Sequence, residues 1–416
     1  MFGNIYISEL EIKNFRSLKN TSIKLQPGLN IIIGPNSSGK SNFLKSIIQS
    51  YRTFRTVFSP KSRQRGIIYE LELILKSTDD VSQYIKFSTE VLSLDRDSIK
   101  YKIQIDSKTK NEILKENFEL SNNNEIPIES EKIEQIRKTI RNWFIFPKLI
   151  QFVTPQISLF LSKPFSFKLN YSENGLTDIE DNFYNENLLN PNFDYLNVLY
   201  DTLEGNVRDI FLDFSIEPEL KKNEKILNSK LDLIKEQANT FFEHLNLNLN
   251  KYTCIEEIRL NENIFYKINK DSIILENIIL EFKINSEWQS WDYLSDGTKR
   301  LFFIFSEIIS DIGRELILIE EPELGLHPEQ IHKVMRFLKE ISEDKQILIS
   351  THSPQILNVL EGNELNRIII SKYTNEGTKF NYLSKDKIKL IKEFLKEDGL
   401  YLSDFWVHGR LEENHD

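Results

Sequence analysis

The chain has almost no cysteine: in 416 residues only Cys254 occurs. Within one chain that excludes a disulfide framework and a zinc site built from cysteines. Long unbroken apolar runs are missing as well. The most apolar stretch, Trp143 to Leu161, is interrupted by Pro147, Lys148, Gln151 and Pro155. It makes a poor membrane span and a better buried strand with flanking turns. Met1-Phe2-Gly3-Asn4-Ile5 has no basic segment leading into an apolar one. No secretory leader is therefore expected, and the chain reads as a cytoplasmic protein with no membrane partner. Heptads numerous enough for a long coiled-coil arm are also absent. Acidic residues, finally, vanish from one region. The net charge is −10, yet no Asp or Glu occurs between Glu11 and Glu70, where eleven basic residues lie. A positive N-terminal region on an acidic body points to a focused anion site.

That region contains Leu29-Asn30-Ile31-Ile32-Ile33-Gly34-Pro35-Asn36-Ser37-Ser38-Gly39-Lys40-Ser41-Asn42. It reads as a short buried strand, a glycine-bounded loop and the start of a helix. Gly34, Gly39, Lys40 and Ser41 fit the phosphate-binding G-x-x-x-x-G-K-[ST] pattern. A loop of this kind, Gly34, Pro35, Asn36, Ser37, Ser38 and Gly39, turns backbone N–H groups inward as an anion nest. The helix beginning near Lys40 adds the positive end of its dipole. Lys40 reaches the β- and γ-phosphates of ATP, and the Ser41 hydroxyl is a natural Mg²⁺ ligand.

Around this loop, residues 5–33 alternate as two or three short strands. Phe43, Leu44, Ile47 and Ile48 give the next helix, of about ten residues, one apolar face. The basic run Arg52, Arg55, Lys61, Arg63 and Arg65 reads as a loop. It is either solvated surface or a face for DNA or an acidic partner protein. Residues 66–76 and 81–106 alternate as an antiparallel meander. A helix is expected over Ser130–Trp143, a strand within Phe144–Phe160, and loop with short helix over 170–197. From Leu227, the apolar positions Leu231, Ile234, Ala238, Phe241 and Leu245 predict one amphipathic helix of about 25–30 residues. Strands return at 273–284.

Three further motifs follow. Leu294-Ser295-Asp296-Gly297-Thr298-Lys299-Arg300 precedes an apolar helix, Leu301–Ile309. By itself Leu-Ser-x-Gly also describes an ordinary helix cap. Its chemical use would be a second phosphate-binding helix N-terminus, with Ser295 and Gly297 facing a γ-phosphate. Leu316-Ile317-Leu318-Ile319-Glu320-Glu321-Pro322-Glu323-Leu324-Gly325-Leu326-His327-Pro328 is four buried aliphatics ending in two carboxylates, at the ligand-binding edge of an α/β sheet. Glu320 can hold Mg²⁺ through water, and Glu321 can orient attacking water and take its proton. Ile347-Leu348-Ile349-Ser350-Thr351-His352-Ser353-Pro354 is another buried strand, placing His352 to sense the γ-phosphate.

The order GPNSSGKSN, LSDGTKR, LILIEEPELGLHP, STHSP resembles the ATP-binding-cassette (ABC)-type ATPase heads of the SMC, RecF and OLD families. The opening Asn14-Phe15-Arg16-Ser17 and Asn42 favour that branch over transporter subunits, and the resemblance adds Arg16 and Asn42 to the nucleotide-binding set. It implies an α/β fold: an ABC-type P-loop ATPase head with an N-terminal antiparallel β subdomain and an inserted, mostly helical lid or arm domain. The corresponding division is an N-terminal lobe over 1–106, an insertion over 107–270, a C-terminal lobe over 271–384 and a helical tail over 385–416. It also implies a head-to-head homodimer, each nucleotide lying between one phosphate loop and the partner copy's Ser295 segment. Two positions depart from the pattern: Glu320 stands where most relatives have Asp, and Asp296 where Gly is commoner. Only 64 residues follow His352, with no DxD pair, so a nuclease in the same chain is not expected. Two roles remain open. One is an ATPase subunit of a bacterial anti-phage system, like the small OLD-like ATPases of Septu and PARIS, controlling a separately encoded nuclease or toxin. The other is a RecF- or SMC-like DNA-repair or chromosome-maintenance ATPase.

Overall fold

The computed structural model describes residues 5–58, 70–77, 82–94, 99–108, 113–121, 147–150, 161, 164–172, 175–181, 194–212, 224–309, 316–396 and 400–407. The chain divides into two compact units. The first comprises Met1–Gln151, Gly313–Leu324 and Ile331–Asp416, the second Phe152–Ile312 and Gly325–Gln330.

The first unit contains two six-stranded sheets. One is antiparallel, in the order Leu18–Lys24, Ile5–Phe15, Glu70–Ser77, Tyr84–Leu94, Ile99–Lys108, Ile113–Ser121. The expected meander is there, and it runs one strand further. The other sheet orders Gly377–Tyr382, Ile368–Thr374, Leu29–Ile33, Gln346–Thr351, Leu316–Glu320 and Pro147–Ile150. Its pairings are parallel except for the terminal hairpin 368–374/377–382. Leu29–Ile33 is buried at every position, as a strand covered on both faces requires. Phe43, Leu44 and Ile47 on the helix Lys40–Phe58 pack into a core with Leu10, Ile12, Leu318, Leu348 and Ile369.

That helix has 19 residues, not ten. Arg52 and Arg55 therefore lie on it rather than on a loop, while Lys61, Arg63 and Arg65 fall outside the described residues. Nothing between Lys40 and Phe58 is a glycine or proline, so nothing stops the helix early. The expected helix over 130–143 also lies outside the described residues. The strand expected in 144–160 appears as Pro147–Ile150, and its partner is the strand Leu316–Glu320. With 113–121 in one sheet and 147–150 in the other, the first unit extends past residue 106. Conversely, the signature segment at 294–300 belongs to the second unit.

The second unit holds a four-stranded sheet, in the order Gly175–Asp181, Phe165–Ser172, Ser272–Ile278, Phe265–Ile268. A three-stranded one follows the order Glu257–Leu260, Leu280–Ile284, Glu287–Ser290. Among the described residues its long helices are Asp194–Leu212, Glu224–Tyr252 and Asp296–Ile309. Loop and short helix were expected over 170–197, yet strands 165–172 and 175–181 cross that region and a 19-residue helix begins at Asp194. Phe165, Phe167, Leu169 and Tyr171 are buried on alternate positions, and their strand pairs with residues about a hundred positions later. Local composition is overridden by that distant partner. The 29-residue helix Glu224–Tyr252 agrees with its predicted length, but Phe242 rather than Phe241 is buried.

Candidate functional site

Strand register places the chemistry. Thr351 pairs with Ile33, and Glu320 with Ser350, so three parallel strands end side by side. The phosphate loop, His352 and Glu321 leave the sheet at the same C-terminal edge, where an open α/β sheet binds its ligand.

The loop is shaped by backbone that only glycine adopts freely. Gly34 has φ +151° and Gly39 φ +101°. A methyl group at Gly34 would also strike the carbonyl of Ser371, and one at Gly39 the side chain of Thr378. Both obstacles come from the terminal hairpin. Ser371 Oγ donates to the Ser38 carbonyl at 2.8 Å, and Thr378 Oγ1 to Ser17 Oγ at 3.0 Å. Asn42 Nδ2 donates to the same Ser17 hydroxyl at 2.8 Å, and Arg16 donates to Asn42 Oδ1 at 3.3 Å. Arg16 and Asn42 are thus brought together at the start of the loop's helix. Pro35, Asn36 and Ser37 are exposed along the loop, while Ser38 is buried.

Lys40 is 6% exposed and donates to the carbonyls of Gly34 and Pro35, each at 2.8 Å. Those two carbonyls hold its ammonium over the loop. No acidic residue stands in the first turn of Lys40–Phe58, so the helix dipole is left for an anion. The buried Ser38 Oγ has no hydrogen-bond partner. A glycine-lined cradle, an inward ammonium and an orphaned hydroxyl fit a polyphosphate.

Ser41 Oγ makes a short hydrogen bond to Glu320 Oε1. Two hard oxygen donors, one from the helix start and one from the strand end, therefore meet beside the loop. That donor set fits Mg²⁺, which takes one or two protein oxygens and completes its shell with water and phosphate. The extra methylene of Glu320 does not keep it from Ser41.

Glu321 sits at φ +49°, a left-handed conformation unusual for a side-chain-bearing residue. Its N–H donates to the Ser350 carbonyl at 2.8 Å, and its carbonyl accepts from Leu324 at 3.2 Å. The tight turn holds the carboxylate half-exposed at the strand end. His352 Nδ1 lies 3.2 Å from Glu321 Oε1. A carboxylate only accepts, so Nδ1 is the donor. Sequence reading names Glu323 only as an alternative to Glu321, quotes Ser17 and Thr351 within motifs without a role, and passes over Ser371 and Thr378. Glu323 alone carried a signal, as the third carboxylate of Glu-Glu-Pro-Glu. Burial pushes its pKa up, opposed chiefly by the hydrogen bond from Thr351.

Ser295 and Gly297 belong to the second unit. Ser295 is exposed, and its Oγ accepts from Thr298 N at 3.1 Å and contacts Thr298 Oγ1 at 2.9 Å. It caps the helix Asp296–Ile309. Added bulk at Gly297 would press on the Gly325 carbonyl at 3.2 Å. Among the described residues no helix is long and apolar enough to cross a membrane.

A family model described as "AAA domain, putative AbiEii toxin, Type IV TA system" matches residues 29–358. The chain is 54% identical over 43 residues to the chromosome partition protein Smc of Methanococcus voltae, covering 10% of this chain and 4% of that protein. It is 42% identical over 65 residues to the DNA replication and repair protein RecF of Nitrosococcus oceani, covering 15% of this chain and 18% of that protein. The matched stretches are thus a small part of either relative. Among solved structures, the Smc head domain of Pyrococcus furiosus with an extended coiled coil, bound to the C-terminal domain of ScpA, aligns at 16% identity and a TM-score of 0.48, over 94% of this chain and 100% of that one.

Proposed function

We propose a function for this chain, which belongs to the AAA-domain family whose model spans residues 29–358 and is an ABC-type ATPase of the SMC/RecF group. From that premise we propose that it hydrolyses ATP at the edge shared by the phosphate loop, Glu321 and His352. Gly34 to Gly39 and Lys40 hold the phosphates, and Arg16 and Asn42 border them. Ser41 and Glu320 hold Mg²⁺, which when bound neutralises charge on the phosphate oxygens. Glu321 orients a water and takes its proton as the oxygen attacks the γ-phosphorus, and ADP leaves with inorganic phosphate as the other product. His352 contacts the γ-phosphate through its Nε2 side. The observation carrying this reading is the register that ends three motif-bearing strands together, with Ser41 bonded to Glu320.

The nucleotide sites are composite in this reading. Ser295 and Gly297 of a second copy close each one, making the working form a homodimer, and exposed Ser295 is available for that. The biological role we favour is a regulatory subunit of a bacterial anti-phage system that senses a trigger and controls a separate nuclease or toxin. It is supported by the likeness of the LSDGT signature to small OLD-like ATPases. Purified protein should hydrolyse ATP only with Mg²⁺. Pull-down with the product of the neighbouring gene should recover a nuclease or toxin.

The RecF and Smc matches favour a second reading, a DNA-binding ATPase. Arg52, Arg55, Lys61, Arg63 and Arg65 are its candidate contacts. Changing Arg52, Arg55, Arg63 and Arg65 to Glu would then weaken DNA binding and reduce the salt slope by about one unit for each phosphate left without its cation. Parent protein that binds no DNA at low salt removes this reading.

A further inference from the structure

The hydrolytic reading leaves a buried carboxyl beside His352 without a task. Glu323 is 7% exposed. Its Oε1 accepts from Thr351 Oγ1 at 2.5 Å and from the His352 backbone N–H at 3.3 Å. The Thr351 hydroxyl itself accepts from Ser353 N–H at 2.9 Å, so its single proton is aimed at Glu323. Oε1 therefore receives two donors and carries no proton. Oε2 is buried and makes no hydrogen bond.

The second observation lies at His352. Its Nδ1 is 3.2 Å from Glu321 Oε1 and 3.8 Å from Glu323 Oε1. Two carboxylates converge on one N–H. The nearer belongs to the general base, and an oxygen that accepts from His352 offers one lone pair fewer to water. The farther is pinned by Thr351 and by the peptide of His352 itself.

We propose that Glu323 is a positioning residue that takes the Nδ1–H of His352 over from Glu321, releasing Glu321 to receive the proton of the attacking water. The inference rests on the reading of Glu321 as the base. A ring movement of about 1 Å brings Nδ1 within hydrogen-bond range of Glu323. Because the receiving oxygen is held by two donors, the imidazole moves and the carboxylate stays. Were Glu323 only a structural acceptor, a glutamine would serve equally, since its amide oxygen accepts from the same two groups. It lacks the charge that makes a hydrogen bond to N–H strong.

The test uses the full chain, with steady-state hydrolysis and binding of a fluorescent ATP analogue. Glu323→Gln should lower kcat about tenfold and leave analogue affinity within about twofold. Thr351→Val should behave like Glu323→Gln, and Thr351→Ser like the parent. On a Glu321→Gln background, Glu323→Gln should add no further loss, because it acts through Glu321. Parental kcat in Glu323→Gln, loss of binding instead of turnover, or a second tenfold loss on the Glu321→Gln background each overturn the proposal. If Glu323→Gln does not fold, the Thr351→Val and Thr351→Ser pair decides, with equal kcat for the two overturning it. Full turnover in Glu321→Gln alone shows instead that the base was assigned wrongly, and the inference falls with that assignment.

Discussion

Two serine–glycine stretches open helices in this chain, and they are built for different tasks. In the phosphate loop the hydroxyl of Ser41 points away from its own helix to Glu320, and the first helical turn contains no acid. Gly34 and Gly39 hold left-handed backbone against the hairpin that carries Ser371 and Thr378. In the signature segment Ser295 spends its hydroxyl on Thr298, and Asp296 stands in the first turn. An aspartate there stabilises the helix but repels an incoming anion. The first stretch is an anion cradle in itself. The second is an exposed helix cap.

The sharpest way to break that comparison is Glu321→Gln. Turnover should fall by about 10²–10⁴ while ATP binding persists, the range for a lost general base. Equal loss of binding in a filter or fluorescence assay would mean that the strand end serves the cradle rather than the chemistry. Lys40→Ala should do the reverse and weaken binding itself.

Next in size is Ser295→Arg, which should stop hydrolysis without weakening ATP binding to the phosphate loop. Mixed with a Lys40→Ala chain it should regain part of the activity, because one of two composite sites stays whole. No recovery from two folded, associated chains would argue for sites complete within one copy.

A smaller effect is expected at the hairpin. Thr378→Val removes the hydrogen bond to Ser17 and should weaken ATP binding by roughly fivefold, the scale of one neutral hydrogen bond, with Thr378→Ser near the parent. Unchanged affinity would show that the hairpin fills space beside Gly39 without steadying the loop.

The smallest concerns stability. Burial raises the Glu323 pKa, so in a window just above the ordinary carboxylate range the folded state keeps a proton that the unfolded chain has released. Stability from this group therefore falls as pH climbs from the ordinary carboxylate range through the raised folded-state value. Glu323→Gln has no such proton, and its Tm relative to the parent should improve across that window and stay level below it. A pH-independent Tm difference would mean that the carboxyl is charged in the fold throughout.

Much of this could be read from residues 29–42, 294–300, 316–328 and 347–354, because each motif is local. A glycine-bounded loop, two carboxylates after four aliphatics and a histidine after a buried strand each need only a short stretch of chain. The long helix from Glu224 was legible for the same reason, its apolar period running unbroken through Leu245 and Leu249. Sequence by itself thus determined the family motifs, the glycine-bounded loop and the meander beside it. Pairing between distant residues decided the rest. Pro147–Ile150 joins the strand that ends in Glu320, and 165–172 pairs with 272–278, pairings that no local pattern announces. Thr378 meets Gly39 only because strands from opposite ends of the chain lie in one sheet, and Glu323 meets His352 because two neighbouring parallel strands end in register. Hydrogen-bond ladders and shared burial reward such encounters without leaving a periodicity in the residues that make them.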